Sequence, residues 1–207
     1  MNNSKKYDVI IIGAGLSGLT LANEIISRTP KRVLILEKKK KFLNDKNWCF
    51  WNIPENPFTK FADNKWSKII IKIGKEKKEL QSKGIYYLRI KPLTFYKKIL
   101  SNFKKKKITI LMNQQISKID VSNDEKIIKS NDIEFKTDLI FDSRPNVIEK
   151  EKKQLYQHFV GFEVLFEKRA IDNNQITLMD FQSFSGGINF FYILPFSSRR
   201  ALIETTY

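Results

Sequence analysis

Gly13-Ala14-Gly15-Leu16-Ser17-Gly18 is the stretch whose residue types and spacing point most directly to chemistry. It fits G-x-G-x-x-G and joins a β-branched apolar run, Tyr7 to Ile12, to a segment of helical periodicity, Leu16 to Arg28. Gly13 permits a tight turn, Gly15 lets the backbone approach a pyrophosphate, and Gly18 lets the helix pack close to the strand. The helix N-terminus then turns unpaired N–H groups and a positive dipole end toward phosphates. Glu37 follows 19 residues after Gly18, at the end of a second apolar run, Arg32 to Leu36. A carboxylate there accepts hydrogen bonds from ribose hydroxyls and repels a 2′-phosphate, which favours FAD or NAD over NADP. The motif alone does not choose between FAD and NAD. Its place at the extreme N-terminus, before the chain leaves for a different domain, favours FAD. Gly13, Ala14, Gly15, Leu16, Gly18 and Glu37 are the expected cofactor-binding residues. Asp142 joins them because it ends an apolar strand, where nucleotide folds place ligand contacts, although it equally suits the start of the turn Asp142-Ser143-Arg144-Pro145.

These residues need a frame. Tyr7–Ile12, Leu16–Arg28 and Arg32–Leu36 form a βαβ unit, whose strands must be parallel because a helix connects them. Asn44 to Pro57 reads as a loop, with prolines at 54 and 57. Strands are expected at Trp66–Ile73 and Gly84–Ile90. Pro92 opens a helix to Phe103 with Leu93, Tyr96, Ile99, Leu100 and Phe103 on one face. Short strands follow at Ile108–Met112, Ser117–Val121, Lys126–Lys129, Ile133–Phe135 and Asp138–Phe141. From Tyr156 the chain reads as all-β: Phe159–Phe166, Gln175–Phe181, Asn189–Leu194 and Ala201–Tyr207. The expected architecture is α/β, with residues 1–50 and 91–150 forming a dinucleotide-binding domain and 51–90 and 151–207 a β-rich substrate domain. The chain ends inside an apolar strand, so it reads as the N-terminal portion of a longer protein.

Composition narrows the chemistry. Hydrophobic residues make up 42% of the 207, enough for a sizeable core. The longest apolar run, Val9 to Leu21, is broken by three glycines and falls short of a membrane span. No cleavable signal precedes the first strand, so a cytosolic protein is expected. One cysteine and one histidine argue against a disulfide framework and against a metal site. Cys49 reads as packing, and His158 as a strand-edge or core residue. The net charge of +16 attracts polyanions or anionic lipid. The lysine runs Lys38–Lys41 and Lys104–Lys107 also suit plain solvated faces. Nucleic-acid binding is not expected, because no such motif and no interleaving of arginine with aromatics occurs.

More specific segments carry a resemblance. Asn47-Trp48-Cys49-Phe50-Trp51 is similar to the aromatic segment that follows the second strand in flavin-dependent lycopene cyclases, especially the bacterial β-cyclases. Phe141-Asp142-Ser143-Arg144-Pro145 resembles their Asp-x-Arg turn. Tyr156-Gln157-His158-Phe159-Val160-Gly161-Phe162-Glu163 resembles a Gln-x-Phe-Val-Gly-x-Glu segment. Met179-Asp180, Phe191-Tyr192-Ile193-Leu194-Pro195-Phe196 and Leu202-Ile203-Glu204-Thr205-Thr206 look like the family's central strands. With the opening strand and glycine turn, the likeness runs from Tyr7 to Tyr207.

The resemblance implies a Rossmann-like FAD-binding domain of the glutathione-reductase type, interleaved with the β-rich domain and continuing beyond Tyr207. It implies FAD, with NADPH or NADH as external reductant, and lycopene as substrate. The implied reaction cyclises the linear ends of lycopene to β-ionone rings, with no net redox change, at a membrane surface to which the protein docks peripherally. An acid protonates a terminal double bond, the cation closes the ring, and a proton is lost. Such a cation needs a dry pocket, aromatic faces and a nearby anion. Glu204 matches the first acid of the family's Glu-Glu-Thr or Glu-Asp-Thr motif and is the expected catalytic residue, although a polar residue on an outer strand face would look the same. Thr205 stands where the family has a second acid. Trp48, Phe50 and Trp51 are expected to line an apolar substrate tunnel, or to pack a loop. No Gly-Asp motif of the kind that returns to the flavin occurs before Tyr207, so this stretch is expected to hold the ADP half of FAD. Competing readings are a geranylgeranyl reductase or monooxygenase of the same fold, or an inactive nucleotide-binding protein.

Overall fold

A computed structural model describes residues 5–53, 56–81, 83–103, 107–122, 125–145, 155–183 and 185–207. Pro54 and Lys104–Lys106, singled out above, lie outside the described residues. The chain divides into two compact units, residues 1–46 with 92–148 and residues 47–91 with 149–207. Each is discontinuous in sequence.

In chain order the elements begin with β1 (Lys5–Ile12), α1 (Leu16–Arg28), β2 (Val33–Leu36), β3 (Trp48–Trp51), β4 (Asn64–Trp66) and β5 (Lys68–Ile73). They continue with β6 (Glu76–Gln81), β7 (Tyr87–Ile90), α2 (Pro92–Phe103), β8 (Ile108–Leu111), β9 (Ile116–Val121) and β10 (Lys126–Ser130). The last are β11 (Ile133–Asp142), β12 (Phe159–Leu165), β13 (Gln175–Gln182), β14 (Asn189–Ser197) and β15 (Arg200–Thr206).

The first unit holds a six-stranded sheet ordered β8-β2-β1-β11-β10-β9. β1 runs parallel to both β2 and β11, and β2 parallel to β8. β2 and the second half of β1, at the middle of this sheet, are buried on both faces. Ile10, Ile12, Leu34 and Leu36 enter a core with Ile128 and Phe135. Val9, Ile11, Val33 and Ile35 alternate with them and are equally buried. α1 buries Gly18, Leu19, Ala22 and Ile26, a helical stripe. On α2 the buried set is Pro92, Phe95, Tyr96, Ile99 and Phe103, whereas Leu93 is half exposed. The expected face is therefore rotated: Phe95 packs inward and Leu93 turns out.

The second unit is all-β. One sheet has three strands, β3-β7-β4, and the other six, β12-β15-β14-β13-β5-β6. Three expectations change here. The loop expected at 44–57 contains β3, whose Trp48, Cys49, Phe50 and Trp51 pair with Ile90, Arg89, Leu88 and Tyr87. That pairing carries 47–50 into the second unit. The single strand expected at 66–73 is two: β4 pairs with β7, and after Ser67 β5 pairs with β13 and β6. β6 itself, Glu-Lys-Lys-Glu-Leu-Gln, is exposed throughout and shows no apolar alternation. It forms because Gly74, at φ +58°, turns the chain back onto β5. In the first unit, Ile133–Phe135 and Asp138–Phe141 prove to be one strand, β11, which pairs with β10 over its first half and with β1 from Phe135 onward.

Candidate functional site

The glycine turn follows from its backbone. Gly13 adopts φ +100°, a left-handed conformation that favours glycine. A Cβ there would fall 2.2 Å from Ser143 Oγ. Ser143 holds that position because its hydroxyl donates to the Ile12 carbonyl at 2.6 Å and its N–H donates to the same oxygen at 3.0 Å. A Cβ on Gly18 would stand 2.1 Å from the Gly13 carbonyl oxygen, so helix and strand meet without room for a methyl. Gly15 differs: it caps α1 in extended conformation, and the place a Cβ would take is open. Room at Gly15 beside the free N–H groups of the helix start suits a pyrophosphate.

Glu37 follows β2 and turns toward the same turn. Ala14 N–H donates to its Oε2 at 2.6 Å and Lys39 N–H to its Oε1 at 2.8 Å. Two backbone donors fix the carboxylate, and each oxygen keeps a lone pair for a ribose hydroxyl. The residues present therefore fit the ADP half of a dinucleotide, with Gly13, Ala14, Gly15, Leu16 and Gly18 at the helix start and Glu37 beside it. Asp142 lies opposite Ile12 at the end of β11. Its carboxylate is occupied by Arg144, whose Nε and terminal nitrogen donate at 2.9 and 2.7 Å, and this hydrogen-bonded guanidinium holds it below the usual carboxylate range. Ser143, which sequence reasoning passed over, is the residue of this turn that touches the glycine loop.

In the second unit, Glu204 lies on β15 with Tyr192 directly opposite on β14 and Gly161 opposite on β12. Strand alternation places Leu202 and Glu204 on one face. That face packs on Trp66, Ile69, Ile176 and Leu194, together with Tyr192, Leu202, Cys49 and Tyr87. Glu204 is half-buried, and burial pushes its carboxyl above the ordinary range. Tyr192 and Tyr87 bring their hydroxyl oxygens to 2.9 Å. Burial raises Tyr87 to about 12 and Tyr192 further, and it also raises the Cys49 thiol. Tyr192, Tyr87 and Cys49 are thus neutral donors beside Glu204 in an apolar setting, which favours the protonated form of its carboxyl. Sequence reasoning missed Tyr87 and Tyr192 as members of this cluster. The apolar alternation around each was visible, but their pairing was not.

The three aromatics of β3 do not share a wall. Trp51 lies on the face of Cys49 and meets Tyr87 edge-on at 4.9 Å between centroids. Alternation sends Trp48 and Phe50 to the other face, where Phe50 meets Phe58 at 6.4 Å. Cys49 packs against the apolar cluster. His158 stacks between Tyr156 and Tyr207, at 6.1 and 6.2 Å. Glu163 is exposed and pairs with Arg200.

The family model described as lycopene cyclase protein matches residues 8–207. The chain belongs to the lycopene cyclase family. No curated protein matches it. Among solved structures, it is similar to PqsL, a probable FAD-dependent monooxygenase from Pseudomonas aeruginosa, at 13% identity and a TM-score of 0.70, covering 98% of this chain and 61% of that one. It is similar to a geranylgeranyl bacteriochlorophyll reductase-like protein from Thermoplasma acidophilum, at 14% identity and a TM-score of 0.69, covering 99% and 57%. It is similar to the halogenase PltM in complex with phloroglucinol and FAD, at 15% identity and a TM-score of 0.67, covering 97% and 51%. The fold is thus the Rossmann-type FAD-binding fold, and the chain spans between half and two thirds of these structures' length.

Within the lycopene cyclase family the departure at 205 takes on a geometric meaning. Thr205 pairs with Val160 and Phe191, so it projects to the sheet face opposite Glu204. Its Oγ1 accepts from Asn189 Nδ2 at 3.1 Å. An acid at 205 and Glu204 would stand on opposite faces of the sheet.

Proposed function

We propose that this chain is the N-terminal part of an FAD-dependent lycopene β-cyclase in which Glu204 is the acid. The observation that carries this reading is the setting of Glu204: a half-buried carboxyl on an apolar sheet face, flanked by Tyr192 and near Tyr87 and Cys49. A carboxyl raised by burial keeps its proton where a solvated one has lost it. Its O–H gives that proton to a terminal carbon–carbon double bond of lycopene. The cation so formed is attacked by the neighbouring double bond, which closes the ring, and a ring proton then passes to a base, the Glu204 carboxylate being the one left by the first step. The product is an isomer of the substrate, so no electrons are consumed.

Gly13, Ala14, Gly15, Leu16, Gly18 and Glu37 would hold the ADP portion of FAD, with NADPH or NADH reducing it from outside. When bound and reduced, the flavin supplies an electron-rich ring system. Tyr192 beside Glu204, and Tyr87 hydrogen-bonded to Tyr192, supply aromatic surface that suits a cation. Lycopene is apolar and resides in bilayers. The excess of lysine therefore supports peripheral docking on anionic lipid at the cytoplasmic side. Among the described residues no helix is long and apolar enough to cross a membrane.

The test is carotenoid analysis of lycopene-producing bacteria that express the intact gene, beside Glu204→Gln. γ- or β-Carotene, lost in the variant, establishes the cyclase and its acid. Unchanged lycopene with a folded, FAD-loaded protein overturns the reading. It would turn attention to the reductase and monooxygenase chemistries hosted by the same fold.

A further inference from the structure

Tyr192 is the direct neighbour of Glu204 to which the reaction above assigns no step. Its hydroxyl meets that of Tyr87, 105 residues away in sequence and in the other sheet of the unit. The bond ties the two sheets together beside the carboxyl. Tyr87 is itself wedged between rings, with Trp51 at 4.9 Å and Trp66 at 6.5 Å. On the other flank of Glu204, a Cβ on Gly161 would stand 3.2 Å from Glu204 Cβ and 3.3 Å from its Cγ. The stem of Glu204 therefore lies between bare backbone on one side and a pinned phenol on the other. Gly161 has no side chain, so of the two cross-strand neighbours only Tyr192 can shield the carboxyl.

We propose that Tyr192, pinned by the Tyr87 hydroxyl, is a positioning residue that keeps water from the Glu204 carboxyl and so preserves its proton. This rests on Glu204 being the acid of the reaction proposed above. The groups that face the carboxyl leave burial in control. From β14 comes Tyr192 and from β12 Gly161, with Glu163 two residues on and engaged by Arg200. From the three-stranded sheet come Cys49, Tyr87 and Arg89. The thiol and both phenols are neutral at physiological pH because burial raises each of them. Arg89 donates to Asn47 and Asn64 and lies 3.7 Å over the Phe196 ring. Its guanidinium is committed there.

The experiment titrates the carboxyl itself. The whole protein, purified with its flavin and labelled with 13C-carboxyl glutamate, is followed by NMR from about pH 4 to 9. Absence of one signal in Glu204→Gln assigns it. In Tyr192→Ala the Glu204 midpoint falls by about one pH unit, while Tyr192→Phe, which keeps the ring but loses the hydroxyl bond to Tyr87, lowers it by about half a unit. Tyr87→Phe breaks only the hydroxyl bond and lowers the midpoint by about half a unit. A midpoint unmoved in a folded Tyr192→Ala protein overturns the proposal. If that variant does not fold, an unmoved midpoint in Tyr87→Phe overturns it instead. The titration reads a carboxyl and not a product, so its failure is distinct from failure of the carotenoid test.

Discussion

The glycine turn and the Glu204 cluster are built from opposite materials. At the turn, the backbone itself makes the contacts: Gly18 touches the Gly13 carbonyl, Gly13 leaves room for the Ser143 hydroxyl, and Ala14 N–H meets the Glu37 carboxylate. Its glycine identities at 13 and 18 are dictated by sterics. Around Glu204, side chains from strands of two sheets converge, and nothing unusual is asked of the backbone. At the turn, the residues that would bind a ligand are also the ones that let β1 and α1 pack. At Glu204 the two roles separate, and a buried carboxyl works against folding whenever it ionises.

The largest separation is expected at Glu204. Glu204→Gln should lower cyclisation by roughly 100- to 10,000-fold without lowering the melting temperature. The pH dependence has a definite sign. Burial raises Glu204 in the folded chain, so the folded state holds the proton more tightly than the unfolded one. The contribution of this group to stability is therefore full at low pH and declines as pH rises from the ordinary carboxylate range through the raised folded value. Glutamine should erase that decline, as urea unfolding across the window would read. A destabilised Glu204→Gln at neutral pH would erase the contrast drawn above.

The turn should behave in the other way. Gly18→Ala is expected to cost about 2–4 kcal/mol in unfolding experiments and to abolish flavin retention, because its methyl would overlap the Gly13 carbonyl. Gly15→Ala is the sharper variant, since its methyl enters open space. Stability should stay within about 0.5 kcal/mol, while flavin affinity, followed by fluorescence, weakens roughly tenfold. Equal losses of stability at both positions would mean that the turn's glycines serve packing alone. Glu37→Gln retains the shape but weakens the charge-assisted bonds from Ala14 and Lys39. A drop in flavin affinity of about fivefold is expected. The smallest effect belongs to Thr205→Glu. It would restore an acid at that position but on the face away from Glu204, and product formation should change less than about twofold.

Legibility followed the same division. β1, α1 and β2 were readable because strand, turn and helix are specified within about 30 residues. β3 was hidden because a short aromatic run near prolines resembles a loop until β7 supplies its cross-strand partners. The break at Ser67 was hidden for a related reason: β4 and β5 part to join different sheets, a choice made by distant segments. β6 escaped because an exposed edge strand carries no apolar alternation. At the candidate site, Glu204 stood out only through the family likeness. The opposed faces of Glu204 and Thr205 were available from the period of two along a strand. The meeting of Tyr87 with Tyr192 was not, because no local pattern links residues 105 apart.

The pairing of β5 with β13 has a consequence for how the chain reaches its fold. Lys72 meets Asp180, 108 residues later, so β5 emerges from the ribosome roughly 5–20 s before its partner. During that wait β6 covers one edge of β5, and the edge of Ile69, Ile70 and Ile71 that β13 will take stays open, the kind of edge that recruits other chains. Lys65, Lys68, Lys72 and Lys75 flank and interrupt it. The lysine excess here serves as a gatekeeper, spacing nascent chains by charge until the rest of the sheet arrives. Replacing these lysines would then lower soluble yield during synthesis more than it alters the stability of the finished fold.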